Sequence, residues 1–110
     1  MKNRLIAHRG DMVTYPENSM MAIQSAINLG FSCIEIDIQL SKDAVPIVMH
    51  DKNLQRTVGV NKNICELTSE KIGAYFVNNT TGQENDMEML RVPTLQAIVK
   101  MLNDYPVITL

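Results

Sequence analysis

The chain has 110 residues, of which 45% are hydrophobic and 20% are charged, so it is long enough for one globular domain and too apolar for disorder. Its formal net charge of −2 and its pI near 5.6 exclude the broad positive field by which proteins hold nucleic acids. No apolar run reaches the roughly 20 residues of a membrane-spanning helix, and the N-terminus turns polar too early for a signal peptide. We therefore expect a cytoplasmic protein with no nucleic-acid partner and no membrane span.

The first predicted unit is a strand, a loop and a helix. The apolar residues 5–7 predict a short buried strand, and apolar positions at helical spacing predict a helix over residues 18–29 that Gly30 ends. Asn18 suits the N-cap of that helix, with Glu17 as a favourable partner of the helix dipole. Both residues are also close enough to the preceding loop to reach into a functional site.

The next segment predicts a strand followed by a hairpin. Residues 32–40, SCIEIDIQL, alternate between isoleucines and polar residues, which predicts one strand whose polar face carries Glu35 and Asp37. A short turn centred on residues 42–44 leads into the second extended run, VPIVMHD. That register puts His50 opposite or near Asp37, whereas a slip of one residue would move the imidazole to the other face.

The remaining elements complete an α/β order. Residues 67–75 predict a short helix that begins at Thr68, and residues 77–88 predict a long polar loop. A helix that starts at Pro93 and continues through Leu102 comes next, and PVITL at the end of the chain predicts another strand. This order of elements favours a parallel sheet with helical connections.

Two carboxylates are the first candidates for chemistry. Glu35 and Asp37, at positions i and i+2 of one strand face, would lie about 7 Å apart at the backbone and could together hold one hard cation. Oxygen ligands of this kind suit Mg²⁺ or Ca²⁺. The alternative is a half-buried strand with a solvated polar face, and this motif alone does not exclude it.

The histidines of the chain are the second candidates. His8 and His50 each end an extended run, and each is followed by a charged residue. Two imidazoles beside a carboxylate-bound cation are what an acid and a base need for displacement at phosphorus, and Arg9 could then contact the phosphate. The alternative is that both histidines are ordinary surface residues.

Five segments taken in order, HRG, PENS, EIDIQLSKD, PIVMHD and VPTLQ, resemble the glycerophosphodiester phosphodiesterase family across essentially the whole chain. The resemblance implies an α/β fold, the N-terminal part of a (β/α)8 TIM-type barrel that is incomplete at this length, with residues 1–110 belonging to a single barrel domain. It also implies metal-dependent hydrolysis of glycerophosphodiesters, such as deacylated phospholipids, to glycerol 3-phosphate and an alcohol. The partner would be a small-molecule substrate, and the cofactor a divalent cation, Mg²⁺ or Ca²⁺.

The resemblance also implies a role for each matching residue. His8 and His50 would be the acid and the base, and Arg9 would contact the phosphate. Glu17 would lie close to the site and support either the substrate or the residues that contact it, and Asp51 would orient the loop beyond His50. The two metal ligands would be Glu35 and Asp37.

This sequence departs from the family pattern at three places. Ala44 stands where the family commonly has glycine, which costs about 1 kcal/mol if φ is positive there. Gln96 stands where the family often has glutamate, and we expect this to alter only a helix surface. A further metal-ligand glutamate, which the family takes from the strand that begins as PVITL, is not in these residues, so we expect weak activity or none from the chain alone.

Two alternatives to this function stay open. A phospholipase D-like enzyme would share the paired histidines but act on intact lipid. An apolar rim around the site would favour it, and the sequence does not indicate such a rim. A truncated barrel module without catalysis would act by association and would be indifferent to metal. In either case an open piece of barrel exposes strand edges and apolar helix faces, so self-association through those edges is expected.

Overall fold

The structure is a computed structural model, which describes residues 6–77 and 88–104. The first half of the chain holds four strands and one helix, and helices dominate the second half, so the predicted α/β class is confirmed. The elements are β1 (Ile6–His8), α1 (Met20–Asn28), β2 (Cys33–Glu35), β3 (Ile38–Leu40), β4 (Pro46–Val48), α2 (Gln55–Val58), a 3-10 turn (Ile64–Glu66), α3 (Ser69–Gly73) and α4 (Leu95–Leu102).

Strands β1 and β2 pair in parallel, joined by α1, as a strand-helix-strand unit requires. Their register sets His8 directly beside Glu35. The expectation of a buried first strand is only partly correct, because Ala7 is buried while Ile6 is 62% exposed. The pairing places His8 and Glu35, the polar residues at the ends of the two strands, next to each other.

The helix α1 begins later than expected, and its N-cap is Ser19 rather than Asn18. The Ser19 hydroxyl accepts a hydrogen bond from the Ala22 amide at 3.0 Å, and its backbone is extended, as an N-cap requires. Asn18 has φ of +57°, in the left-handed region, so it cannot occupy that position. The capping prediction for Asn18 is therefore wrong.

The predicted strand over residues 32–40 is two strands in different sheets. β2 pairs with β1, and β3 pairs with β4, with Ile36 and Asp37 between them. Alternation alone could not show the break, because both halves keep the same period of two. The chain thus changes partners at Asp37.

The hairpin of β3 and β4 is confirmed. The strands are antiparallel, with Ile38 opposite Val48. Beyond the strands, the Met49 amide donates to the carbonyl oxygen of Asp37 at 2.9 Å. Met49 therefore lies opposite Asp37, and His50 lies one residue further along.

Strand β4 divides the core into two clusters. Ile47 and Met49 pack into one cluster, and Val48 packs into the other, because successive residues of a strand point to opposite sides. The first also holds Leu54, Val58, Ile64, Leu67, Ile72, Val77 and Val92, and the second also holds Ala7, Ile23, Ala26, Ile34, Ile98 and Leu102.

The later helices agree with prediction more closely than the earlier ones. Thr68 caps α3, as expected, and α4 ends at Leu102. Pro93 lies before the N-cap, Thr94, and not in the first turn of α4. The sequence did not indicate α2 or the 3-10 turn. Most of the predicted polar loop and the whole of the predicted final strand lie outside the described residues.

Among the helices that the structure describes, none is long and apolar enough to cross a membrane.

Candidate active site

The candidate residues gather where strands end. His8 is the last residue of β1, Glu35 is the last residue of β2, and His50 follows β4 by two residues. The loops that leave β1 and β2 carry Glu17 and Asp37. In α/β barrels the active site lies at the carboxyl ends of the strands. The candidate residues therefore lie where an active site is expected.

His8 and Glu35 form the first contact of the site. The Nε2 atom of His8 lies 3.5 Å from Oε2 of Glu35, and the two side chains are 56% and 41% exposed. The second carboxylate oxygen, Oε1 of Glu35, is buried and has no hydrogen-bond partner among the described residues. A buried carboxylate oxygen without a protein partner is uncommon, and such an oxygen is suited to bind a cation or a ligand donor.

Arg9 lies in a backbone conformation that few residues adopt. Its φ is +56°, and two backbone hydrogen bonds hold it there. The Arg9 amide donates to the Glu35 carbonyl at 2.7 Å, and the Asn18 amide donates to the Arg9 carbonyl at 2.9 Å. Left-handed backbone at a non-glycine residue costs of order 1–3 kcal/mol, and such strain is typical of functional sites.

The Arg9 side chain faces two carboxylates. Its NH1 group donates to Oε2 of Glu17 at 3.1 Å, and its Nε atom lies 3.3 Å from Oδ2 of Asp37. The Nε–H is not directed at that oxygen, and Nε is buried with no hydrogen-bond partner in the described part of the chain. Arg9 thus keeps one buried donor available for another acceptor.

Asp37 is also held by Asn18, which is buried. Nδ2 of Asn18 donates to Oδ2 of Asp37 at 3.1 Å, and the Asp37 amide donates to Oδ1 of Asn18 at 3.3 Å. This contact gives Asn18 the role in the site that is the alternative to capping. It orients the carboxylate of Asp37 at the point where the chain leaves β2.

The imidazole of His50 is held by Asp51. Nδ1 of His50 lies 2.6 Å from Oδ1 of Asp51, and the Gln39 side chain donates to the carbonyl of His50 at 2.8 Å. Hydrogen bonds from Arg56 and then from His50 hold the pKa of Asp51 well below its ordinary value. Asp51 is therefore ionised and acts only as an acceptor. It orients the imidazole itself, beyond the expected role in the following loop.

Arg56 connects the carboxylate of Asp51 with the carboxylate of Glu17. The sequence did not single it out. Its Nε and NH2 groups donate to Asp51 at 2.8 and 3.1 Å, and its NH1 and NH2 groups donate to Glu17 at 2.8 and 3.0 Å. Hydrogen bonds from Arg56 are the main reason that the pKa of Glu17 is lowered. The one signal in the sequence was a basic residue five positions after Asp51.

The contacts join the candidate residues into one chain. His50, Asp51, Arg56, Glu17, Arg9 and Asp37 follow one another through side-chain ion pairs and hydrogen bonds. Glu35 and His8 join this chain through the backbone hydrogen bond from Arg9. Within residues 6–77 and 88–104 the two imidazoles do not contact each other.

The donor set fits a hard divalent cation in part. Glu35 and Asp37 offer carboxylate oxygens, and the partnerless Oε1 of Glu35 is an acceptor that a cation could satisfy. In the described part of the chain, no group of three or more histidine, cysteine, aspartate or glutamate side chains is placed to hold a metal ion. These residues would therefore supply two of the six to eight oxygen ligands typical of Ca²⁺, or of the six of Mg²⁺.

Several known proteins are similar to this chain in sequence. The chain is 36% identical over 104 residues to a glycerophosphodiester phosphodiesterase of Caldanaerobacter subterraneus, covering 94% of this chain and 42% of that protein. It is 35% identical over 99 residues to the human glycerophosphodiester phosphodiesterase 1, covering 89% of this chain and 30% of that one. A rat lysophospholipase D is 38% identical over 74 residues, which are 67% of this chain and 24% of that protein.

Solved structures agree with this. A glycerophosphodiester phosphodiesterase from Agrobacterium tumefaciens superimposes with a TM-score of 0.82 at 27% identity, over 94% of this chain and 44% of that one. A phosphodiesterase from Oleispira antarctica, solved with the product sn-glycerol-3-phosphate, gives 0.80 at 25% identity over 94% and 41%. The chain thus spans less than half the length of these proteins, and its fold is the N-terminal part of a TIM-type barrel, which is incomplete at this length. Since the family model for the glycerophosphoryl diester phosphodiesterases matches residues 8–108, the chain belongs to that family.

Proposed function

We propose that the protein of which this chain is a part hydrolyses glycerophosphodiesters to glycerol 3-phosphate and an alcohol, with the help of a divalent cation. The observation that carries the proposal is a pair of buried polar atoms without partners among the described residues, Oε1 of Glu35 and Nε of Arg9. One is an acceptor suited to a cation, and the other is a donor suited to a phosphate oxygen. The names of the relatives and the product bound to the Oleispira phosphodiesterase support the same substrate class.

Glu35 and Asp37 would hold the cation, and the charge of Arg9 would face the phosphate. A bound divalent cation would polarise the phosphoryl oxygen and stabilise charge that develops in the transition state. Arg9 would donate to a phosphate oxygen from the Nε–H that has no acceptor among the described residues, while Glu17 and Asp37 keep the guanidinium in place. The choice between Mg²⁺ and Ca²⁺ rests with ligands beyond these two carboxylates.

His50 is suited to act as the general base. An ionised Asp51 can only accept, so the 2.6 Å contact requires a proton on Nδ1 of His50. The neutral ring then presents Nε2 as an acceptor, which could take a proton from the attacking water. His8, beside Glu35 on the other strand end, would deliver a proton to the departing alcohol.

The extent of the domain is part of the proposal. Residues 1–110 would be the N-terminal portion of a single barrel domain, since the matched relatives and structures are more than twice as long. Glu35 and Asp37 alone make an incomplete ligand set. We therefore expect weak activity or none from the 110 residues by themselves, and full activity from the full-length protein.

Release of glycerol 3-phosphate from glycerophosphocholine tests this function. The full-length protein should be active with Mg²⁺ or Ca²⁺ and inactive in EDTA, and His8→Ala and His50→Ala should each lower kcat roughly 10²–10⁴-fold. Glu35→Gln should raise the cation concentration needed for half-maximal rate. Lys62→Ala, an exposed change outside the site, is the control. Hydrolysis that persists in EDTA, or in His50→Ala, would contradict the assignment.

A second candidate substrate is a lysophospholipid. Met12 and Val13, 43% and 95% exposed, lie on the rim of a cavity of about 300 Å³ that Glu17 and Arg56 also line. The sequence does not indicate an apolar rim, but these two apolar side chains could contact an acyl chain, and one relative is named a lysophospholipase D. A higher kcat/KM for lysophosphatidylcholine than for glycerophosphocholine, lost in Val13→Ser, would favour this substrate; the reverse order would exclude it.

Association of this chain with itself is the corresponding proposal for the isolated 110 residues. Ile6 on β1 and Leu40 on β3 are 62% and 57% exposed, and each lies at the edge of a two-stranded sheet. Apolar residues at open edges favour pairing with a second chain. Light scattering should give a mass above that of one chain, and Leu40→Lys should lower that mass. A monomer at all concentrations would contradict this proposal. An oligomer that forms equally with and without metal would favour the non-catalytic module.

A further inference from the structure

Arg56 contacts two carboxylates that belong to separate loops. Its guanidinium donates two hydrogen bonds to Asp51 and two to Glu17, at 2.8–3.1 Å, and Glu17 is 39 residues away in sequence. Only a planar fork with several N–H groups can hold two carboxylates at once in this way. The geometry therefore uses the shape of arginine as well as its charge.

The short helix α2 presents this guanidinium from a fixed base. Leu54, just before the helix, is fully buried, and the Thr57 hydroxyl contacts the sulfur of Met49 at 3.0 Å. Gly59, with φ of +85°, ends the helix in the left-handed conformation. Because Met49 directly precedes His50, α2 is anchored to the same strand end that carries the imidazole.

Each carboxylate held by Arg56 contacts a residue of the proposed reaction. Asp51 contacts Nδ1 of His50, so a carboxylate fixed by Arg56 fixes the tautomer and the direction of the imidazole. Glu17 is shared between Arg56 and Arg9. Without Arg56, the whole charge of Glu17 would attract Arg9 and compete with a phosphate for the guanidinium.

On the basis of the proposed function, we propose that Arg56 is a positioning residue for phosphodiester hydrolysis. Through Asp51 it holds Nε2 of His50 in the orientation of a base, and through Glu17 it leaves Arg9 able to bind the phosphate. It does not contact the substrate in this role. The two routes predict different kinetic effects, one on kcat and one on KM.

Kinetics of the full-length protein on glycerophosphocholine separate the two routes. Arg56→Lys, which keeps the charge but loses the fork, should lower kcat 10–100-fold, the range typical for partners of active-site residues, and raise KM several-fold. Asp51→Asn should lower kcat by a similar factor. In the double variant with Arg56→Lys, kcat should fall less than threefold below that of Asp51→Asn, while KM should still rise. Arg91→Lys is the matched control, because the guanidinium of Arg91 pairs with Glu88. Its kcat and KM should stay within twofold of wild type.

A spectroscopic measurement tests the same inference without activity. Long-range ¹H–¹⁵N NMR of the full-length protein, with His50 assigned from a His50→Gln variant, should show the proton on Nδ1 in wild type and a mixture of tautomers in Arg56→Lys. Melting curves check that the variants fold. An unchanged tautomer, or a kcat within twofold of wild type, overturns the inference. If the wild type hydrolyses no glycerophosphodiester, the proposed function fails, and the tautomer alone decides whether Arg56 positions His50.

Discussion

Asn18 holds Asp37 through two hydrogen bonds, one from its Nδ2 to Oδ2 at 3.1 Å and one from the Asp37 amide to its Oδ1 at 3.3 Å. The side chain is 1% exposed, and its backbone has φ of +57°. Asparagine tolerates this left-handed conformation better than most residues, so its position in the loop and its grip on Asp37 are compatible. The loop after β1 is thereby bound to the residue at which the chain leaves β2.

Asn18→Gly tests this contact, because glycine accepts the same φ and removes only the side chain. We expect the free energy of unfolding to fall by about 2 kcal/mol, roughly 1 for each hydrogen bond, and the affinity for Mg²⁺ or Ca²⁺ to fall 10–100-fold. Urea unfolding and titration calorimetry of the full-length protein measure the two effects.

The control for this variant is Ser19→Ala, which removes the N-cap hydrogen bond of α1 and the hydrogen bond that the Ser19 hydroxyl donates to the Pro16 carbonyl. It should also cost about 2 kcal/mol of stability, roughly 1 for each hydrogen bond, and leave the cation affinity unchanged. Equal losses of cation affinity in both variants would show that Asn18 acts on the fold of the loop and has no particular role toward Asp37.

Gly10 lies between Arg9 and the helix α1, where no side chain fits. A Cβ there would approach the carbonyl carbon of Ala22 to 2.8 Å, and φ is +79°. Gly30 has a similar φ of +94° and open space around it. Gly30→Ala should therefore cost only the left-handed strain, about 1–2 kcal/mol, while Gly10→Ala adds about 1–3 kcal/mol of overpacking and displaces α1 from the site. Equal unfolding free energies in the two variants, measured in urea, would contradict this packing argument.

Local features of the fold could be predicted from the sequence, and long-range partners could not. The hairpin that turns at residues 42–44 and the N-cap at Thr68 depend on residues that are close in sequence. The sequence pattern can therefore predict both. The change of partners at Asp37 depends on which strand lies on each side, which alternation does not encode.

The same reason explains what was missed in the site. The resemblance to a family pointed to His8, Glu35 and His50, and the structure gathers them at the strand ends. The residues next to Arg56 in the sequence do not identify it as part of the site, because its contact is with Glu17, 39 residues away in sequence. Ion pairs between distant loops become visible only when the fold is known.

Ala44 carries the conformation for which glycine is best suited. Its φ is +60°, so the expected cost of alanine at this turn applies. Ala44→Gly should raise the free energy of unfolding by about 1 kcal/mol, because relief of left-handed strain exceeds the added entropy of the unfolded chain. Ala74→Gly is the matched control, since Ala74 is also exposed but has φ of −80°, and it should lower stability by about 0.5–1 kcal/mol. Stabilisation by both changes, or by neither, would refute the strain argument.

Asp43 ties the same turn to the start of α3 and should make stability depend on acid. It accepts hydrogen bonds from the Ser41 hydroxyl and from the amide and hydroxyl of Ser69, and these lower its pKa from 3.8 to about 2. Since the folded pKa lies below the unfolded one, the stabilisation is fully present above about pH 4 and is lost as the pH falls toward 2. Asp43→Asn should thus melt below wild type at pH 7, and the gap should shrink by at least half at pH 2. Ser69→Ala, which removes one donor, should show the same pH dependence with a smaller gap. A gap in melting temperature that is equal at pH 7 and pH 2 would mean that the ionised carboxylate contributes nothing to holding the turn against α3.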